Sequence, residues 1–339
     1  MACMRPKAFP VASLGLTLSL AAAPVATPHN FIFFGLDRAR IHEPAFLHNP
    51  AVPGAQLKYS WKELEPAQDH YDFAALKADL EFLDAHGKKL FVQVQDATFD
   101  DNHVSVPDYL RHDPAFHGGV ARKYSITRDD ESTAAPDGWV ARRWDPAVRA
   151  RFGRLLAALG KEFDGRVEGI NLPETSIDFG ESGKLHPDGF TYASYVDGVK
   201  EIMSAAKAAF PHSAVIQYAN FMPGEWLPWS DHGYLKAVYA HANAIGVGVG
   251  GPDLLPHRKG QQNHSYPLIA ARAPSVIAGI AVQDGNLEDK DPGSGRVVTV
   301  DELYRFARDQ LHVDYIFWGT QEPYYSRDIL PYLEALPRR

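Results

Sequence analysis

The chain has 339 residues, of which 45% are hydrophobic and 12% aromatic, so it is long enough for one large domain with a substantial core. Its formal net charge is −8, and no cluster of lysines and arginines provides the basic surface that nucleic-acid binding requires. The one cysteine, Cys3, lies in the first few residues, and the remainder of the chain therefore has neither disulfides nor thiol chemistry.

The first 26 residues have the organisation of a secretory signal peptide. Arg5 and Lys7 precede an apolar run that ends at Leu20, and three alanines follow it. This run is too short for a permanent membrane span. We therefore expect a signal peptide at 1–26 and a single domain at 27–339, in a periplasmic or secreted protein with no membrane anchor after cleavage.

Eight short apolar runs, most of them separated by a helical period, predict a repeated strand–helix pattern. The predicted strands cover residues 30–36, 54–60, 89–95, 167–170, 214–219, 244–249, 276–282 and 313–318. Eight such units predict an α/β fold, a single (β/α)8 TIM barrel. The alternative is a doubly wound open sheet, which normally has a glycine-rich phosphate-binding turn after an early strand, and the sequence has no such turn.

Helix-capping signals mark several of the predicted helices. Asp72 precedes a helix that stops at His86-Gly87, and Asp145 precedes a proline at the first helical position of another. Thr299 and Glu302 have the spacing of a capping box. Further helices are predicted over Tyr192 to Phe210 and Asp328 to Leu336.

A long loop joins the third strand to the third helix, from about Asp96 to Trp144. A loop of this length far exceeds a normal connection in an α/β barrel, so we expect a functional flap over one end of the barrel. Its residues Asp100, Asp101 and Asn102 form an oxygen-rich group, but such a group is usually a solvated turn. The sequence also has no HExxH motif, and we predict no metal and no cofactor.

Polar and aromatic side chains follow the ends of the predicted strands, and in a parallel barrel these ends meet at one mouth. They are Asp37, Trp61, Asp96, Asn171, Glu174, Asn220, Asp253, Gln283, Asp284, Asn286, Trp318, Gln321 and Glu322. Carboxylates, amides and indoles with few cations suit a neutral polyhydroxyl ligand. A pair of carboxylates is also the minimum requirement for hydrolysis of a glycosidic bond.

Each of these residues also has a purely structural interpretation. Glu174 can cap the next helix, and Asp284 belongs to an Asp-Gly-Asn sequence that is typical of a turn. Asn171 can satisfy backbone groups, and Trp61 and Trp318 can pack within the barrel. Both interpretations stay open at the level of sequence.

Several short motifs resemble clan-A (β/α)8 glycoside hydrolases. The motifs are WKELEPAQDHYDF, VPDYL, WDPAVRARFGRLL and YIFWG, together with an Asn and a Glu that end the fourth strand. The family's acid/base is a Glu directly after an Asn, whereas two residues separate Asn171 from Glu174 here. The family's nucleophile is a Glu at the end of the seventh strand, where this chain has Asp284. The resemblance implies Glu174 as the acid/base and Asp284 as its partner, with Glu322 in reserve.

The leading hypothesis is a secreted, monomeric glycoside hydrolase that cleaves an oligo- or polysaccharide with paired carboxylates. Substrate binding is assigned to the other residues at the strand ends: Asp37, Trp61, Asp96, Asn171, Asn220, Gln283, Asn286, Trp318 and Gln321. One alternative is a barrel that binds glycan without cleaving it. Another is a transglycosylase or a lyase on the same scaffold, and a lyase would need a base such as Tyr218 beside a uronate-binding cation such as Arg38 or Lys58.

Overall fold

The computed structural model of the chain describes residues 27–127 and 130–337. The predicted signal peptide therefore lies outside the described residues. The strands, in chain order, are β1 (His29–Gly35), β2 (Gly54–Ser60), β3 (Lys89–Gln95), β4 (Val120–Thr127), β5 (Asp130–Ala141), β6 (Gly169–Leu172), β7 (Ala214–Tyr218), β8 (Gly248–Gly251), β9 (Ala278–Val282) and β10 (Tyr315–Trp318).

Eight of these strands form a closed barrel in the order β1-β10-β9-β8-β7-β6-β3-β2, and every neighbouring pair is parallel. The predicted (β/α)8 TIM barrel is thus confirmed. The helices are α1 (Pro44–Leu47), α2 (Trp61–Leu64), α3 (Ala74–Ala85), α4 (Asp108–His112), α5 (Pro146–Phe163), α6 (Tyr192–Ala209), α7 (Tyr234–Ile245), α8 (Lys259–Asn263), α9 (Ser265–Ala270), α10 (Val300–Arg305) and α11 (Leu330–Ala335). No helix among the described residues is long and apolar enough to cross a membrane.

Two of the capping signals agree with the observed helix starts, whereas α3 has Phe73 as its N-cap without a side-chain cap, and Asp72 accepts a hydrogen bond from the Ala74 N–H at 3.0 Å. The Asp145 carboxylate accepts hydrogen bonds from the backbone N–H groups of Ala147 and Val148, and Pro146 begins α5. Thr299 and Glu302 form a complete capping box at the start of α10. A π-helical segment, Phe306–Gln310, continues from α10, and another, Tyr325–Ile329, precedes α11.

The sixth predicted strand, residues 244–249, is wrong at its start. The first two residues of that range belong to the end of α7, which Gly246 terminates with φ 71° in the left-handed region. The strand itself begins at Gly248. Gly250 packs directly against the backbone of Gly279 in β9, and a side chain at this position would collide with that backbone. The absence of a side chain at Gly250 therefore allows β8 and β9 to pack closely.

The interior of the barrel is apolar in one layer and polar in another. Phe31, Phe91, Ile216 and Phe317 belong to a buried cluster that is separate from the main core between barrel and helices. Successive side chains of a strand point to opposite faces, so every second residue of β2 and β3 points into the barrel. Toward the carboxyl ends of these two strands, the inward-pointing residues are polar. The aromatic layer therefore fills the barrel on the amino-terminal side of the polar layer.

The long loop after β3 contains an antiparallel hairpin formed by β4 and β5. Its base pairs with the chain after β3, where Thr98 N–H donates to the Trp139 carbonyl at 2.8 Å. Further along the hairpin, Glu131 accepts hydrogen bonds from the backbone N–H groups of Glu181 and Ser182 in the loop after β6. The hairpin is thereby attached at the same end of the barrel as the residues that follow the strands.

The topology also confirms the common location of five of the acidic residues predicted at the mouth. Asp37, Asp96, Glu174, Asp284 and Glu322 each follow the carboxyl end of a barrel strand. Because all eight strands are parallel, these residues lie at the same end of the barrel.

Candidate functional site

A cavity of about 620 Å³ opens at the carboxyl end of the barrel. Polar side chains from five strands or the turns after them contribute to its lining: Lys58, Gln93, Gln95, Glu174, Tyr218 and Gln283. The loop after β3 adds a wall that includes Phe99 and His103, so the predicted flap forms part of this cavity. Its size and its mixture of apolar and polar groups are those of a small-molecule site.

A second cavity of about 350 Å³ adjoins the first. Lys58 and Gln283 line both cavities, whereas Asp37 and Asp284 line only the second. Glu174 and Asp284 therefore face two adjoining spaces that meet at Lys58 and Gln283. Of the predicted site residues, Glu174 and Gln283 line the larger cavity, and Asp37, Asp284 and Gln283 line the smaller one.

The turn after β6 holds Glu174 in a rigid backbone. Pro173 follows the strand directly, and its carbonyl accepts a hydrogen bond from Gln217 Nε2 at 2.6 Å. The Glu174 carbonyl accepts from Arg143 Nη1 at 2.8 Å. The Thr175 N–H donates to the Tyr218 carbonyl at 3.1 Å. These contacts fix the backbone on both sides of the carboxylic acid.

Burial raises the pKa of the Glu174 carboxyl to about 7, from an ordinary value of 4.5. Asn220 opposes this rise, because its Nδ2 donates a hydrogen bond to Glu174 Oε2 at 2.6 Å and so favours the ionised form. The carboxylate of Asp253 raises the pKa further, whereas the positive charges of Lys123 and Lys58 lower it. Glu174 therefore exchanges its proton near neutral pH, as a general acid should.

Asp96 has a different role from the predicted one. It is 2% exposed, and its two carboxylate oxygens accept hydrogen bonds from Nε and Nη2 of Arg143 at 2.8 and 2.6 Å. The assignment of Asp96 to substrate binding is therefore wrong, since both oxygens are already paired. The residue instead anchors Arg143, which in turn binds the Glu174 carbonyl.

We expect Arg143→Met to lower the free energy of unfolding by about 3–5 kcal/mol, because it leaves the Asp96 carboxylate buried without its partner. Urea titration followed by circular dichroism measures this loss. The matched control is Arg111→Met, which breaks an exposed pair with Asp108 and should cost less than about 1 kcal/mol. Equal losses in the two variants would contradict the structural role given to Arg143.

The two tryptophans predicted to stack on sugars are core residues. Trp61 and Trp318 are both fully buried, so neither offers a face to a ligand. Trp61 Nε1 donates to Glu65 at 2.8 Å, and Trp318 Nε1 donates to Asn30 at 3.0 Å. Their assignment to substrate binding is wrong because the indoles fill the layer between barrel and helices.

Two of the predicted amides are also occupied by the protein. Asn171 is fully buried, accepts a hydrogen bond from Gln56, and donates to the carbonyls of Leu172 and Ile216. Asn286 is 2% exposed, and its carbonyl oxygen accepts from the backbone N–H groups of Leu254 and Gln283. Both were assigned to substrate binding, and both instead stabilise the barrel and its loops.

Three other predicted residues act on neighbouring groups. Asn220 binds the Glu174 carboxyl, as described above. Gln321 accepts a hydrogen bond from the Gly285 N–H at 2.7 Å and so braces the turn that carries Asp284. Glu322 is exposed, accepts a hydrogen bond from Ser326 Oγ at 2.6 Å, and is not among the residues that line the two cavities.

Sequence reasoning missed part of the cavity lining. Gln93 and Gln95 stand at alternate positions of β3, and the same alternation was visible in the sequence KLFVQVQ. The sequence predicts Asp253 at a strand end, and the structure shows in addition that its carboxylate raises the pKa of Glu174. It is held by Asn286, whose Nδ2 donates to Asp253 Oδ1 at 3.0 Å. Within residues 27–127 and 130–337, no three His, Cys, Asp or Glu side chains are grouped so that they could hold a metal ion.

The fold and the site together define a parallel (β/α)8 barrel with a ligand cavity at the carboxyl end of its strands. No protein-family model and no curated protein matches the chain. Among solved structures, it is similar to a GH10 endoxylanase retrieved from a sugarcane soil metagenome, with 15% sequence identity and a TM-score of 0.49. The alignment covers 87% of this chain and 86% of the endoxylanase. This similarity concerns the barrel fold, which the strand topology itself establishes.

Proposed function

We propose that this protein is a glycoside hydrolase in which Glu174 is the general acid. One observation supports this proposal most strongly: a carboxyl group with a pKa of about 7 lines a cavity at the mouth of the barrel. Such a group holds a proton at neutral pH and can donate it to the oxygen of a glycosidic bond as the bond to the sugar carbon breaks.

Asp284 is the proposed partner of Glu174. It lines the adjoining cavity and belongs to the turn after β9, and Lys58 and Gln283 line both this cavity and that of Glu174. It would either attack the anomeric carbon or remove a proton from the attacking water. Separations of about 5–5.5 Å between such carboxyl groups accompany retention, and about 6.5–9.5 Å accompany inversion.

The other lining residues suit a carbohydrate. Gln93, Gln95 and Gln283 offer amide donors and acceptors for hydroxyl groups. Gln93 is 4% exposed, and its Oε1 has no hydrogen-bond partner among the described residues. A ligand hydroxyl that donates to this oxygen would satisfy a buried acceptor.

The lyase alternative is less well supported. Its base would be Tyr218, which lines the same cavity as Lys58 and Glu174. Burial raises the pKa of the Tyr218 hydroxyl above its ordinary value of 10. The phenol therefore stays protonated at neutral pH and is a weak candidate for a base.

The test is a panel of polysaccharides incubated with the protein and assayed for new reducing ends, with the Glu174→Gln variant in parallel. Release by the wild type alone supports the proposal. Binding of a glycan without release supports the non-catalytic alternative. Release of unsaturated products, detected by their ultraviolet absorbance, supports the lyase.

We also propose that the protein is exported and that residues 1–26 are removed. The test is the intact mass of the protein recovered from the periplasm or the medium.

A pH prediction follows from the contact between Asn220 and Glu174. We expect kcat/KM of the wild type to fall as the pH rises through about 7, because Glu174 must hold its proton. Asn220→Ala removes a hydrogen bond that favours the ionised form, so the pKa of Glu174 rises. The fall of kcat/KM, which is the alkaline limb of the pH profile, then moves to higher pH. The measurement is kcat/KM as a function of pH.

The matched control for this prediction is Asn263→Ala, at the end of α8 and outside both cavities. It should leave the pH profile unchanged. A limb that moves to lower pH in Asn220→Ala would show that Asn220 does not stabilise the carboxylate.

A further inference from the structure

Lys58 has a special position in the site. It lies on β2 at the junction of the two cavities and lines both of them. Its ammonium stands 5.0 Å from the centre of the Phe33 ring, which offers only a weak cation–π contact. Burial lowers the pKa of Lys58, while the charges of Glu174 and Asp284 act to raise it.

The ammonium of Lys58 has no hydrogen-bond acceptor and no carboxylate within ion-pair distance in the part of the chain that the structure describes. Two lysines that are buried, Lys88 and Lys123, do have such partners. Lys88 Nζ donates to the carbonyls of Asn49 and Val52, and Lys123 Nζ donates to Asp137 at 2.8 Å. Lys58 is only half-buried and lines both cavities, and its ammonium has no hydrogen-bond acceptor among the described residues, so it is available to a ligand in the cavities.

The acidic groups around the larger cavity do not cancel this charge. Glu63 is paired with Arg38 at 2.7 Å, and Asp100 is solvent-exposed and forms no ion pair with Lys58 among the described residues. Glu174 is neutral below a pH of about 7. In the second cavity, Asp284 and Asp37 make a carboxylate ligand unfavourable, which directs such a ligand to the larger cavity.

We propose that the site takes an acidic sugar, a uronic-acid unit whose carboxylate binds the Lys58 ammonium within the larger cavity. This inference rests on the proposed carbohydrate-binding function and specifies its substrate class. A hydrogen bond between an ammonium and a carboxylate is about twice as strong as one between neutral groups. The amides of Gln93, Gln95 and Gln283 line the same cavity and would bind the hydroxyl groups of the same sugar.

The test measures binding by isothermal titration calorimetry to Glu174→Gln, which we expect not to consume the ligands. The acidic probes are oligogalacturonate and oligoglucuronate, and the neutral probes are galacto- and gluco-oligosaccharides of equal length. Lys58→Met is added to remove the charge and keep the length of the stem, and Lys58→Arg to keep a cation. The control is Lys62→Met, an exposed lysine paired with Asp108.

We expect an acidic probe to bind, and Lys58→Met to weaken this binding by roughly 10- to 100-fold. Lys58→Arg should recover part of the affinity, and Lys62→Met should change nothing. Binding of neutral probes should change little. Thermal melting of each variant checks folding, and Lys58→Met should melt no lower than Glu174→Gln alone, since the half-buried ammonium that it removes has no hydrogen-bond or ion-pair partner among the described residues.

Three results would overturn the inference: no acidic probe binds, neutral probes bind as tightly as acidic ones, or Lys58→Met weakens both classes equally. These results are separable from failure of the proposed function. Hydrolysis of neutral glycans alone would support the proposed hydrolase activity and contradict the proposed acidic substrate. Binding of uronates that depends on Lys58, without any hydrolysis by the wild type, would support the proposed ligand class and contradict the proposed hydrolase activity.

Discussion

Replacing Glu174 by glutamine is expected to lower turnover by a factor on the order of 10² to 10⁴, because the amide cannot deliver a proton to the leaving oxygen. Glutamine has nearly the same shape, so the contacts of the turn after β6 remain. The backbone hydrogen bonds from Arg143 and Thr175 do not involve the Glu174 side chain. The measurement is the rate of reducing-end release on the best substrate of the panel.

Stability gives a second readout for the same variant. Folding raises the pKa of Glu174 from its ordinary value of 4.5 to about 7. The wild type therefore loses stability as the pH rises from 4.5 through about 7. Glutamine carries no charge at any of these values. We therefore expect Glu174→Gln to have a higher free energy of unfolding than the wild type at pH 8, and the two proteins to converge at pH 4.

The matched control is Glu334→Gln, an exposed position on α11. It should retain wild-type turnover and stability. A Glu174→Gln variant that keeps most of its activity would refute the catalytic assignment. A variant that fails to fold would support the alternative in which Glu174 serves the structure of the loop.

Asp284→Asn is expected to lower turnover by a similar factor, on the order of 10² to 10⁴, because the amide is a poor nucleophile and a poor base. The side chain is exposed and lines the second cavity, so the substitution removes a charge without opening a void. Gln321 continues to brace the turn through the Gly285 N–H. Single-turnover and steady-state rates on the same substrate measure the effect.

Glu322→Gln is the companion variant that decides between the two candidate partners. The Glu322 carboxylate binds Ser326, so we expect nearly normal rates after its replacement. If Glu322→Gln is inactive and Asp284→Asn is active, the second catalytic carboxylate is Glu322, in the turn after β10, and not Asp284, in the turn after β9. Proton NMR of the first anomer released from the wild type distinguishes retention, which the family resemblance favours slightly, from inversion.

The sequence determined the architecture because the signals for it are local. The alternation of apolar runs with helical periods indicates a parallel barrel, and the caps at Asp145 and Thr299 mark the starts of α5 and α10. The limits of β8 were less accessible, since α7 continues in apolar residues up to Gly246. Glu174 was also identifiable, because a carboxylate directly after a buried strand must lie at the mouth of a parallel barrel.

The tertiary structure decided which polar groups remain available to a ligand. Asp96 lies at the predicted end of β3, but its partner Arg143 is 47 residues further along the chain. Lys58 is one of several cations in the sequence, and only closure of the barrel places it between two cavities with no hydrogen-bond or ion-pair partner for its ammonium among the described residues. The type of a residue and the strand it follows are local properties. Its burial and its hydrogen-bond partners depend on distant segments that the fold brings together.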